Sequence, residues 1–404
     1  MLFSVRALKR GAALAMVAAM GCLSQAAVVS FGAAYVSSYE QISDAEPAPS
    51  MFNYFFANIY GSDGSLEAAN LTLPDSTVYD LGIASFTNAY MVYGSPIMGT
   101  MAEVEAAYPA GDYQYQITAG SAAPDSAVMS VPATDFTNEI PYLNGGSWSS
   151  LQYCNAGDDR PLTWSDTSNA GNAPILETVF YVFDYVQQGA VVHSGAAFSS
   201  LYTGDTVPGT VLLSGHTYAY QLEYYSYYNF PALGFGGADG ISSYIRTTVG
   251  YFHVAANPGT VSGQLTLSDY AYPTGMPITV DIVDSDGTVL DTQTFPLGAY
   301  GYYAFDTAVT GVKSLRFRST HWLVRQISDV DLGVGQDTVN PVLINGDIDQ
   351  DNEVSIGDYA ILSSLYGLAS GDPGYDIQSD LDGDLEIGIG DYAILSANYN
   401  QAGD

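Results

Sequence analysis

The stretch Asp347-Ile348-Asp349-Gln350-Asp351-Asn352-Glu353-Val354-Ser355-Ile356-Gly357-Asp358 returns 33 residues later as Asp380-Leu381-Asp382-Gly383-Asp384-Leu385-Glu386-Ile387-Gly388-Ile389-Gly390-Asp391. In both, aspartates stand at positions 1, 3, 5 and 12 of a twelve-residue loop, with Glu353 or Glu386 at position 7. A hard cation such as calcium takes about six to eight oxygens, and a tightly turned loop can aim alternate carboxylates inward while position 7 offers its backbone carbonyl. The candidate metal ligands are therefore Asp347, Asp349, Asp351, Glu353 and Asp358, then Asp380, Asp382, Asp384, Glu386 and Asp391, for two calcium ions.

The octapeptide Ile-Gly-Asp-Tyr-Ala-Ile-Leu-Ser occurs at 356–363 and again at 389–396, which marks an internal duplication. Ile361, Leu362 and Leu365 recur at helical spacing, as do Ile394 and Leu395, so each repeat reads as a loop followed by one helix. Ile344-Asn345-Gly346 and Ile377-Gln378-Ser379 leave no room for the helix that precedes a standard EF-hand loop. Val354 and Ile387, at position 8, are expected to meet across a short backbone bridge between the two loops.

A loop–helix duplication of this kind over residues 345–404 resembles the type I dockerin, a module that docks exported proteins onto cohesin domains of surface scaffolds. The resemblance implies a cohesin-like protein partner and places the contact at loop positions 10 and 11, here Ile356-Gly357 and Ile389-Gly390. It departs from the family pattern in three ways. The position-6 glycine is Asn352 in one loop and Leu385 in the other, the hydroxylated pair is Ile-Gly, and the basic pair early in the helix is Ser363-Ser364 and Ser396-Ala397. Asn tolerates a left-handed backbone and Leu does so poorly, so the second site should be the weaker.

Upstream, the chain reads as antiparallel β-structure, and its 404 residues exceed what one core normally serves. Val261, Leu265 and Leu267 suggest one strand, Ile278, Val280 and Ile282 another, and Asp284-Ser285-Asp286-Gly287 a turn before Val289. Tyr302–Phe305, Leu315 and Phe317 continue the alternation. With the run His321-Trp322-Leu323, residues 256–340 resemble transthyretin-like sandwiches related to carboxypeptidase regulatory domains. From 27 to 255, Phe52–Tyr60, Tyr113–Ile117, Thr178–Tyr185, Tyr218–Tyr227 and Tyr244–His253 are aromatic and β-branched runs, and one helix is expected near Met101–Tyr108, stopped by Pro109. Leu212-Leu213-Ser214-Gly215-His216-Thr217-Tyr218 fits the Leu-x-x-Gly-x-x-Tyr corner and resembles fibronectin type III-like sandwiches, where the phenol bonds back to the preceding turn. The expected organisation is mainly β and multidomain: 1–26 signal peptide, 27–140 β-rich domain, 141–255 fibronectin-like sandwich, 256–340 transthyretin-like sandwich and 345–404 dockerin-like module with EF-hand-like loops.

The export signal rests on Arg6, Lys9 and Arg10 before the apolar run Gly11–Leu23, with Ser24-Gln25-Ala26 for cleavage; a lipoprotein signal ending at Cys22 is the alternative. That run is too short for a transmembrane anchor. Its removal leaves six of nine basic residues against 43 acidic ones, a net charge of −37 that repels nucleic acid and anionic lipid. Without Cys22, Cys154 has no disulfide partner. Lys313, Arg316, Arg318 and Arg325 sit beside a 345–404 segment with 13 acids and no base, so an electrostatic seam or a plain solvated strand face is expected there.

Catalysis is harder to assemble. His193, His216, His253 and His321 lack zinc-site spacing, and no Gly-x-Ser-x-Gly elbow occurs. Glu177, Asp184 and Glu223 are the best candidates for a glycoside-hydrolase carboxylate pair, with solvated strand faces as the competing expectation. Tyr218, Tyr220, Tyr224, Tyr225, Tyr227 and Tyr228 read as core, or as a polysaccharide-binding face. Two functions follow: a secreted, non-catalytic cell-surface protein docked through its C-terminal module and using sandwiches for adhesion or recognition, or a component of polysaccharide breakdown carried on a dockerin.

Overall fold

The structure is a computed structural model that describes residues 28–84, 89–133, 140–152, 154–165, 175–197, 202–336 and 338–404. The expected signal peptide, 1–26, lies outside the described residues. The protein is mainly β, with several sheets and, among the described residues, four short helices.

Eleven strands form one sheet in the order Ala190–Ala197, Ile175–Asp184, Thr217–Gly234, Ala238–His253, Val28–Glu40, Phe52–Gly61, Tyr90–Gly94, Val78–Ile83, Ala68–Thr72, Gly111–Ala119, Asp125–Val131. Strand Val28–Glu40 pairs parallel with Ala238–His253, Tyr35 opposite Tyr244, and antiparallel with Phe52–Gly61. The sheet is therefore mixed rather than antiparallel, and it runs across the boundary expected at 140. Local alternation signals a strand but says nothing about a partner two hundred residues away, and parallel pairing needs just such a long crossover. The helix Met101–Ala107 forms where expected, its Thr100 hydroxyl accepting from Glu103 N in a capping box. A second helix, Gly145–Gln152, has no clear apolar periodicity and escaped the sequence reading.

Strand Thr217–Gly234 shows how the tyrosines are used. Because side chains alternate across a strand, Tyr218, Tyr220 and Tyr224 enter a core with Trp164, Phe180 and Leu212, whereas Tyr225 and Tyr227 enter another with Tyr54, Phe56 and Ile245. These five are buried and the sixth, Tyr228, is half-buried, so the run is mostly core rather than a glycan-stacking face. The expected corner is present: the Tyr218 hydroxyl donates to Val211 O (2.9 Å) and accepts from Leu213 N (2.8 Å).

Residues 256–343 make two packed layers. The sheet Val289–Pro296, Pro277–Val283, Val312–Arg318, Arg325–Asp331 faces the pairs Thr260–Gln264 with Tyr302–Asp306 and Thr266–Leu267 with Val342–Leu343. Val261, Ile278, Val280, Tyr303, Phe317 and Trp322 fill the space between. The single strand expected over Val261–Leu267 is two, with separate partners. His321 and Trp322 are both buried and stacked at 3.8 Å, and burial lowers the His321 pKa to about 3, which keeps the ring neutral.

The C-terminal duplication folds as two loops and two helices, Ile356–Leu365 and Ile389–Asn398. Val354 and Ile387 are both fully buried in its core with Ile348, Leu362, Leu381 and Leu395. They do not bridge each other, contrary to expectation. Val354 instead exchanges backbone bonds with Gln401 O and Asn400 N, and Ile387 with Leu368 O and Gly367 N. Each pairing maps onto the other by the 33-residue offset, so each loop is closed by the segment that follows the other repeat's helix. Leu323 of the preceding sandwich also enters this core.

Among the described residues, the charge seam reduces to one ion pair. Arg325 meets Asp404 at 3.0 Å with both side chains about half exposed, whereas Lys313 pairs with Asp284 and Arg318 with Asp281 inside the sandwich. An exposed pair of this kind contributes about 0–1 kcal/mol.

Candidate metal centre

The carboxylates of Asp347, Asp349 and Asp351 converge with ligand oxygens within 4.8 Å of one another, and those of Asp380, Asp382 and Asp384 do the same. The loops achieve this through left-handed residues at Gln350 and Asn352 in one and Gly383 and Leu385 in the other. Asx-type bonds then step along each loop, Asp351 N to Asp349 Oδ1 and Glu353 N to Asp351 Oδ1, with Asp384 N to Asp382 Oδ1 and Glu386 N to Asp384 Oδ1 as counterparts.

Position 12 is held differently. Asp358 is fully buried; its Oδ1 accepts from Ile348 N (2.6 Å) and Asp349 N (3.1 Å), and its Oδ2 from Ser355 N (2.7 Å). Asp391 repeats the arrangement with Leu381, Asp382 and Gly388. These carboxylates tie the start of each loop to the first turn of its helix, which also places negative charge at a helix N-terminus. Glu353 and Glu386 lie in the isolated bridges that close the loops, Glu353 with Ala402 and Glu386 with Ala369.

A divalent cation fits this set. All donors are oxygen, as calcium requires, and Asp347 Oδ1 is buried with no hydrogen-bond partner. Burial, and then the neighbouring charges of Asp358, Asp351 and Asp349, push the Asp347 carboxyl up to about 6. Burial likewise raises Asp349, Asp382 and Asp391. A bound cation would offset both the desolvation and the repulsion.

Leu385 sits at φ 74 with its side chain mostly exposed, whereas Asn352 at φ 70 accepts at Oδ1 from Val324 N (2.9 Å). The left-handed conformation costs a leucine about 1 kcal/mol or more. Leu385→Gly is expected to tighten the second site by about fivefold, that cost converted to affinity. Two-site titration calorimetry checks this, and unchanged affinities would show that the leucine is unstrained.

Ile356 and Ile389 are 69% and 76% exposed and contribute nothing to the module's core. The glycines beside them have an internal reason that sequence reasoning missed: a Cβ on Gly357 would collide with Asp349 Oδ2, and one on Gly390 with Asp382 Oδ2. Position 11 is glycine to make room for the position-3 carboxylate. Beside the isoleucines, Tyr359 and Tyr366 each meet Tyr392 edge-on at 5.1 and 5.4 Å.

The three carboxylates proposed for hydrolysis are not solvated. Glu177 and Glu223 lie on one face of neighbouring strands, both buried, and burial raises both pKa values. Glu177 accepts from the Tyr227 hydroxyl, and Glu223 from Gln221 Nε2, Tyr225 and Thr247. Asp184 faces the other way, capping a turn through Val186 N and Gln187 N and binding His216 Nδ1 at 2.8 Å.

These features define a mainly β protein whose C-terminal pair of acidic loops can hold a metal. No protein-family model matches the chain, and no curated protein matches it. Among solved structures, a mutant type II cohesin–X–dockerin complex from Acetivibrio cellulolyticus aligns at 21% identity over 35% of this chain and 96% of that one, with TM-score 0.31. A tetra-tandem repeat from the extending region of a large adhesion protein aligns at 15% identity over 79% and 76% (TM-score 0.19), and a Ca2+-stabilised ice-binding adhesin of an Antarctic bacterium at 13% over 78% and 74% (TM-score 0.18). None of these similarities reaches a shared overall fold. No helix among the described residues is long and apolar enough to cross a membrane.

Proposed function

We propose that residues 345–404 are a dockerin-like module that binds two calcium ions and docks an exported, non-catalytic β-rich protein onto a cohesin-like surface partner. The observation that carries this reading is the 33-residue repetition of the loop-closing bonds, which leaves Ile356 and Ile389 exposed at equivalent places. Calcium supplies the charge that lets four aspartates share each loop. The chain's own residues do the rest: Asp358 and Asp391 close the loops on their helices, and the two isoleucines offer small apolar contacts. Half a turn of the module presents nearly the same face, so two docking orientations follow. The upstream sandwiches would serve adhesion or recognition. The polysaccharide-breakdown reading has less support, because Glu177 and Glu223 are held inside the sheet by tyrosine and amide donors rather than offered to a substrate.

The test is capture of the full chain on immobilised cohesins of several types and on surface proteins of the producing organism. Wild type should be retained with calcium and released by chelator, and cohesins that recognise the hydroxylated pair should bind poorly. Ile356→Asp and Ile389→Asp should each keep binding, while the double variant loses it and still takes up calcium. Loss in either single variant would sink the two orientations, and retention in chelator would sink calcium-dependent docking.

A further inference from the structure

The two loops repeat each other, but the sandwich before them touches them at different places. On the second loop, Ala271 N donates to Asp382 O (3.1 Å), and the ring of Tyr270 covers Gly383 so closely that a Cβ there would lie 2.8 Å from it. Asn345 Nδ2 reaches both Ser268 O (3.2 Å) in the sandwich and Leu381 O (2.6 Å). Three successive loop residues, Leu381, Asp382 and Gly383, are thus held from outside. Tyr270 is itself fixed, its ring edge-on to the buried Trp322 at 5.3 Å.

The first loop has no such cover at the matching position. Gln350 stands where Gly383 does, is exposed, and bonds its amide to Gln378 within the module (2.8 Å). Its ties to the sandwich fall elsewhere, Asp347 N to His321 O (3.1 Å) and Asn352 Oδ1 from Val324 N (2.9 Å).

We propose that Tyr270 and Ala271 are positioning residues of the second metal site, so that this site is built jointly by the sandwich and the loop. The inference rests on the calcium reading above. Affinity in such loops follows ligand charge and site rigidity, and a loop already held in its binding conformation loses less entropy on binding. The clamp falls on the loop that carries the strained Leu385. Holding Asp382 and Gly383 from the sandwich offsets that strain, and it makes the second site depend on Tyr270 and Ala271, which have no counterpart at the matching position of the first.

Two full-length backgrounds separate the sites: Asp349→Ala with Asp351→Ala leaves only the second, and Asp382→Ala with Asp384→Ala leaves only the first. Calcium titration should find Tyr270→Ala weakening the second site about tenfold and the first less than about twofold, with Tyr270→Phe close to wild type in both. Gly383→Ala should also weaken the second site, through both its left-handed backbone and the collision with this ring, and the collision's share of the loss should vanish when Tyr270 is Ala. Retained affinity at the first site reports that the variants fold. Equal effects at both sites, no effect at either, or additive losses for Tyr270→Ala and Gly383→Ala would overturn the clamp. If neither background binds calcium, the calcium reading fails together with it.

Discussion

Removing calcium is expected to unfold residues 345–404 while the upstream sheets stay protected. The module's own core is small, seven buried apolar side chains of which Leu323 belongs to the sandwich. Against it stand four aspartates per loop, two of them in each with little or no exposure, Asp347 and Asp358 in the first and Asp380 and Asp391 in the second. A ligand at a hundred times its dissociation constant stabilises the bound state by about 2.7 kcal/mol per site, so two sites supply about 5 kcal/mol, comparable to the whole stability of a small domain. Hydrogen exchange on the full chain resolves this. In chelator, the amides of Val354, Ile387 and both helices should lose protection, and the strands around Tyr244 should not. Unchanged protection of the helices in excess chelator would show that metal does not hold the module. The pH dependence has opposite signs with and without metal. Asp347 is raised in the folded loop, so without calcium its ionisation opposes closure, fully above about pH 6 and not at all well below its unfolded value near about 3.9. Metal-free protection should therefore increase on acidification, whereas calcium affinity should fall below about pH 6 as protons compete for the carboxylate.

Trp322→Ala should be the most damaging single substitution at the junction. The indole is 1% exposed, stacks on His321 at 3.8 Å, meets Tyr270 edge-on, and donates to Ser268 O (3.3 Å). Its backbone bridges to Asn345 at the start of the module. Truncating a buried tryptophan costs about 3–5 kcal/mol, from lost burial and the cavity left behind. Exchange-derived opening energies for strands Pro277–Val283 and Val312–Arg318 should fall by that amount, and the second loop should loosen with them. Trp322→Phe should lose less. A change below about 1 kcal/mol would mean that the junction does not depend on this ring.

Much of the C-terminal module is legible in the sequence, because its information is local. Asp347, Asp349 and Asp351 are two residues apart, and a tight turn alone brings them together. The octapeptide repeat announces two copies of one unit, and Asn352 and Leu385 mark left-handed positions by their place in the loop. The upstream strands were legible for the same reason, since alternation of apolar residues is visible within a window of five to ten positions. The tyrosine corner likewise spans only seven residues, Leu212 to Tyr218.

Contacts between distant segments had no such signature. That Val28–Glu40 lies beside Ala238–His253, merging two expected domains into one sheet, depends on a parallel register spanning some two hundred residues. The sequence offers Glu177 and Glu223 as carboxylates, but their burial under tyrosine hydroxyls follows from which sheet face they occupy, and their own strands do not encode it. The bond partners of Val354 and Ile387, and the ring of Tyr270 on Gly383, join residues up to 113 positions apart. Residue type and spacing thus set the loops, the helices and the donor chemistry, because those need only neighbours along the chain. Packing of the assembled fold set which loop is clamped, which carboxylates are dry and which isoleucines face outward, because burial is a property of everything around a side chain.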